Sequence, residues 1–288
     1  MSQISSSSLF HFTRQKETLF KILEKGLRFS FCRESLPGVT ISANSISTFD
    51  AIRRVYKLIY FGIPMLCFCD IPLGSVAKHV EKYGRYGVAF DKGRLPQLYN
   101  CKGVYEMNPV CYFYGDKYTS PFYDLCSVVG SLENEKSNKA NLVRILGFSK
   151  PFDNRREQEE AKGVSEQCFY DEREWRIVLS ESEERNIHWP KSFRKDEIDG
   201  MISAQNEKLY NSNDAYLPIL KFSDEDIKTC LLKTITHIIV DKETDIPEVA
   251  DFILESNNTI FGISQLTQQE RAVLCTRLIS LERINTDY

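Results

Sequence analysis

The chain has 288 residues, 42% of them hydrophobic and 27% charged, with a net charge of −3. That length supports a full core in one large domain, and no apolar run approaches the roughly 20 residues of a membrane span. MSQISSSS lacks the basic and apolar regions of a secretory leader, nine cysteines without small-scaffold spacing suggest free thiols in a reducing cytoplasm, and the acidic balance argues against gripping duplex nucleic acid along the whole length.

In chain order, residues 9–13 (LFHFT) read as a strand. A short helix follows, with Leu19, Phe20, Ile22 and Leu23 on one side and Gly26 as its stop. LRFSF returns as extended chain. Residues 49–61 read as an amphipathic helix with a stripe of Phe49, Ile52, Val55, Tyr56, Ile59 and Tyr60, ended by Gly62 and Pro64. PMLCFCDIP is a buried strand closed by Pro72, and residues 73–83 look helical. Residues 87–91 and 110–114 are strands. Residues 131–165 are polar, a candidate insertion or loop, with a helix expected over 141–146.

EREWRIVL, residues 172–179, is a strand, and 181–215 reads as charged and loop-rich. Residues 235–240 form a strand and 247–254 a helix opened by a proline. Thr267-Gln-Gln-Glu is a capping box that starts a last helix reaching about Leu281. Strands and short helices mix without regular βαβ alternation, which gives an α+β class. The expected organisation is a single domain over 1–288 with a C-terminal extension over 181–288.

Phosphate-binding motifs are absent. Tyr83-Gly-Arg-Tyr-Gly87 spaces its glycines three apart and precedes a strand, so it is no Rossmann turn. Cys67 and Cys69 share a strand face but have no second ligand pair, so they read as core residues and no metal site is expected. His79, His188 and His237 are isolated and read as surface or satisfied core positions.

Two features carry candidate chemistry. His11 and Thr13 point to one side of the opening strand, where they either cap the core or donate hydrogen bonds to a ribose. Glu172 and Glu174 share a face of their strand, about 7 Å apart, with Arg173 opposite. Folding does not ask for two neighbouring carboxylates. They either sit outward on an edge strand or face a cleft where positive charge develops at a sugar C1.

Leu9-Phe-His-Phe-Thr, followed by Leu19, Ile22, Leu23 and Gly26-Leu27, resembles the opening of the DarT toxins. CFCDIPL, HVEKYGRYGVAFDK, NPVCYFY and YDEREWRIV resemble the AbiGi family of abortive-infection proteins, and the CmdT toxins are similar. The likeness covers residues 9–180 in blocks. It implies an ADP-ribosyltransferase fold, a split antiparallel two-sheet core with flanking helices that clamps NAD. By the same resemblance His11 and Thr13 hold the dinucleotide, and Tyr83 or Tyr86 packs on nicotinamide. Glu174 is the catalytic glutamate and Glu172 the auxiliary acid. The implied function is a cytoplasmic phage-defence toxin that modifies RNA or single-stranded DNA, with an antitoxin and a chaperone as partners. The alternative is an inactive antitoxin or regulatory binding protein of the same fold. The resemblance departs at Cys67-Phe-Cys69, where many transferases carry Ser-Thr-Ser.

Overall fold

Leu9 and Phe10 are adjacent and both buried, so the opening strand must be covered on both faces. A computed structural model describes residues 5–37, 58–98, 104–114, 145, 147–154, 166–180, 187–192, 194–211 and 230–287. Its strands are β1 (Ser8–Thr13), β2 (Ser30–Pro37), β3 (Leu58–Cys69), β4 (Tyr86–Asp91), β5 (Val104–Pro109), β6 (Cys111–Phe113), β7 (Ser149–Pro151), β8 (Glu174–Leu179), β9 (Lys191–Ser192), β10 (Ile235–Val240) and β11 (Leu278–Ser280). The helices are α1 (Lys16–Lys25), α2 (Ala77–Tyr83), α3 (Lys195–Tyr210), α4 (Ile246–Leu254), α5 (Gln268–Cys275) and α6 (Leu281–Asp287).

Hydrogen bonding links one nine-stranded sheet in the order β11-β10-β4-β1-β3-β8-β5, with β2 and β9 also pairing β3. The sheet is antiparallel except for β10 and β11, whose parallel pairing needs the α4–α5 crossover. The class is α+β, as expected. The main sheet is continuous rather than split, and among the described residues β6 and β7 form a separate two-stranded pair.

One face of the sheet carries Leu9, Leu66, Phe68, Val88, Phe90 and Ile238 under Leu19 and Leu23 of α1, Val249 of α4 and Leu274 of α5. The other carries Phe10, Cys69, Ala89 and Ile239 under Val80 of α2 and Ile284 of α6. These are called the first and second faces below.

Several elements differ from expectation. Of the expected helix over 49–61, residues 58–61 belong to β3, and 49–57 lie outside the described residues. Pairing with β2 along its whole first half overrides the helical stripe. Residues 195–210, expected as loop, form α3. The last helix stops at Cys275, because residues 278–280 pair with β10. Most of 131–165, including 141–144, lies outside the described residues.

β3 bends. In register, Glu34 faces Phe61 and Arg176 faces Cys67, six residues farther along β3. A straight strand would separate those rows by about 20 Å. Yet Arg176 Nη2 donates to Glu34 Oε1 at 2.6 Å, so β2 and the first half of β3 must curl over the second face.

Candidate functional site

The inside of that curl is charged. Glu174 opens β8, and the 3-10 turn Phe169–Glu172 precedes it. Glu172 is therefore not on the strand, as its spacing suggested. Arg173 between them is left-handed at φ 43°, and its carbonyl accepts from Asp70 N at 3.1 Å. This kink turns both glutamates toward one shared cation, Lys150. Each is only 7% exposed.

Arg176 grips Glu174 with two bonds, Nε to Oε1 at 2.8 Å and Nη2 to Oε2 at 3.0 Å. Its Nη1 donates to the Gly147 carbonyl at 3.1 Å. Lys150 Nζ lies between the glutamates, 2.7 Å from Glu172 Oε2 and 3.0 Å from Glu174 Oε2. Glu172 Oε1 accepts from Lys82 Nζ at 2.5 Å, Tyr83 Oη at 2.6 Å and Gln167 Nε2 at 2.9 Å. Tyr112 Oη accepts from Glu174 N at 2.9 Å. Glu34, Glu172 and Glu174 thus meet Lys82, Lys150 and Arg176, a balanced set in which neither catalytic candidate lacks partners.

The electrostatics follow from this pairing. Burial alone would raise Glu174, but Arg176 and Lys150 outweigh it and hold the carboxyl well below the usual range. Burial is likewise overcome at Glu172 by Lys150, Lys82 and Tyr83, which hold it low. At Glu34 burial prevails over Arg176 and Lys150, and the group is raised. Burial also pushes the Tyr83 phenol up.

The six sequence candidates separate into two groups. Phe10 pairs with Cys69, and Cys69 with Glu174, so these three side chains share the second face. His11, one residue on, points to the first face, where its ring lies 5.8 Å from Phe68 and its Nδ1 is 2.9 Å from the Cys67 carbonyl. Burial lowers its pKa. Thr13 and its partner Tyr86 lie on the same side as His11, and Tyr86 Oη donates to Asp245 at 3.2 Å. Tyr83 alone joins the glutamates. His11, Thr13 and Tyr86 therefore do not form one dinucleotide cleft with Glu172, Glu174 and Tyr83.

The YGRYG glycines have a packing role. A Cβ at Gly84 would stand 2.1 Å from the Thr13 carbonyl oxygen, and one at Gly87 2.7 Å from that of His11. Close backbone approach to β1 explains both.

Sequence reasoning missed Lys150, Arg176 and Glu34. Arg176 had a signal, being two residues beyond Glu174 and hence on its face. Lys150 and Glu34 are remote in sequence and had none. His79, read from the sequence as a surface or satisfied core position, is packed beside this cluster, its ring stacking on Tyr83 at 4.4 Å and lying against Phe12.

Comparisons with known proteins agree on one family. The profile of the abortive phage resistance protein AbiGi, antitoxin, matches residues 38–233. An abortive phage resistance protein AbiGi from Lactococcus lactis subsp. cremoris is 21% identical over 255 residues, covering 78% of this chain and 89% of the relative. No solved structure matches. Among the described residues, no helix is long and apolar enough to cross a membrane.

Proposed function

The chain belongs to the AbiGi family of abortive phage resistance proteins, and from that premise we propose that it serves phage defence as the antitoxin, a binding protein that restrains a toxin without turnover of its own. One observation carries this reading. Glu174, the residue a transferase would need, is held by both arms of Arg176 and by Lys150. A carboxylate already neutralised in this way has little field left for an oxocarbenium ion.

The second reading is an ADP-ribosyltransferase that uses NAD to modify RNA or single-stranded DNA. It is favoured by the convergence of Glu172, Glu174 and Tyr83. It requires Arg176 and Lys150 to release Glu174, and it leaves His11 without a part beside Glu174.

Purified protein incubated with labelled NAD and RNA, single-stranded DNA or cell lysate separates the two. The antitoxin reading expects no transfer, no NAD loss and normal growth of cells expressing the chain alone. Transfer by the wild type that disappears in a folded Glu174→Gln variant would overturn it.

A further inference from the structure

The strand pair β6–β7 and the turn before β8 build an aromatic surface that neither reading uses. Backbone bonds tie the three segments together. Phe152 N donates to the Phe113 carbonyl at 3.0 Å, and the Phe152 carbonyl accepts from Phe169 N at 2.8 Å and Tyr170 N at 3.1 Å. On this frame four rings form a continuous ladder. Tyr112 meets Tyr170 edge to face at 5.4 Å, Tyr170 stacks on Phe152 at 5.2 Å, and Phe152 meets Tyr114 edge to face at 5.2 Å. The inner end is anchored, because Tyr112 Oη accepts from Glu174 N. The outer part faces solvent, with Tyr114 63% and Tyr170 49% exposed. Single exposed apolar side chains are ordinary, but rings held in contact on a braced frame mark an interaction site.

The charges beside the ladder select what binds. Asp171 directly follows Tyr170 and is exposed. Glu166, also exposed, precedes Gln167, whose N–H and carbonyl both bond to Asn154, two residues beyond Phe152. Among the described residues neither carboxylate forms an ion pair. Of the described cations on the same segments, Lys150 is taken up by the two glutamates and Arg173 is half-buried. Aromatic faces beside free carboxylates attract a guanidinium, which stacks on a ring and pairs with an acid at once. Aromatic platforms also stack nucleobases, but such sites need cations for the phosphates, and the exposed charges here have the opposite sign.

We propose that this ladder, with Asp171 and Glu166, is a docking surface for an arginine-bearing segment of a partner protein. Arginines of the partner stack on Tyr114 and Tyr170 and pair with the two carboxylates. That the partner is a toxin rests on the antitoxin reading; the chemistry of the surface does not.

The test titrates the full chain, at physiological ionic strength, into a short fluorescein-labelled peptide of alternating arginine and glycine and follows anisotropy. Saturable binding is expected, tighter than that of the matched lysine peptide, because an ammonium does not stack as a planar guanidinium does. Tyr114→Ala and Asp171→Asn, both at exposed positions, should each weaken it by roughly 2–5-fold. Tyr114→Phe should retain it, since the ring face stays. Absence of saturable binding would overturn the proposal. So would equal binding of the lysine peptide with no loss in Tyr114→Ala, which is general attraction to an acidic protein. Tighter binding of a single-stranded RNA oligonucleotide, lost in Tyr114→Ala, would assign the ladder to nucleic acid instead and overturn it as well. The readout uses no NAD, so its failure and the failure of the antitoxin reading in the labelled-NAD assay are separate results.

Discussion

Arg176 has no exposed surface, yet it carries two carboxylates. Buried ion pairs add little net stability over an apolar replacement, but removing one partner is costly because the other charge stays behind. Arg176→Met should therefore lose about 3–5 kcal/mol in urea unfolding at neutral pH. Adding Glu174→Gln to it should recover part of that loss, since one stranded charge disappears. If the double variant is less stable than Arg176→Met alone, the pairing does not govern this site. Lys150→Met should cost less than Arg176→Met, because Glu172 keeps Lys82 and Tyr83, and Glu174 keeps Arg176. Residue chemistry was partly legible beforehand. Two neighbouring carboxylates did mark the unusual spot, and Tyr83 did lie beside them. Lys150 and Glu34 were hidden because they arrive from β7 and β2, through contacts no local pattern records.

Elements with strong local chemistry were read correctly. Thr267 caps α5 through Glu270 N, and Glu270 returns the bond to Thr267 N at 2.7 Å, the reciprocal box the sequence suggested. Thr267→Ala should cost about 1 kcal/mol in the same unfolding assay. Gly84 is a harsher position. It joins α2 to β4 at φ +120°, against the end of β1. Gly84→Ala adds both backbone strain and a clash with the Thr13 carbonyl, so a loss of about 2–4 kcal/mol is expected. A loss below that of Thr267→Ala would mean the turn can shift away from β1. Other elements were illegible for physical reasons. α3 buries only Ile198 and Leu209 over 16 residues, too thin a stripe to betray a helix. β11 has three residues and exists because β10 offers an open edge. At 58–61 the apolar run fits a helix or a strand equally, and pairing decides it.

At the scale of the whole molecule, the α+β class followed from the mixture of strands and short helices, whereas the continuity of the main sheet, its register and its bend did not. Alternation along β1 placed His11 and Thr13 together, but only the Phe10–Cys69–Glu174 row shows them facing away from the glutamates. The same two-faced sheet predicts a characteristic response to pH. His79, on the second face, is held at about 4 against an ordinary 6.5, chiefly by burial. Glu172 and Glu174 nearby pull it up, and Lys82 and Lys150 push it down. With its folded pKa lowered, the unfolded chain binds the extra proton first. Its contribution is complete above 6.5 and drains away as pH falls from 6.5 toward 4. Burial lowers His11 and His237 too, so they add to this slope. Glu172 and Glu174 are held low and act in a more acidic window, their contributions present above about 4.5 and lost as pH falls below it. Glu34 is raised and runs the other way, because protonation relieves its burial. His79→Leu keeps an apolar partner for Phe12 and Tyr83 while deleting one titration. Its urea midpoint should therefore fall less than that of the wild type between pH 6.5 and 4, while the steeper loss below pH 4.5 persists. An unchanged slope between pH 6.5 and 4 would show that His79 does not carry this share, leaving the whole effect to His11 and His237.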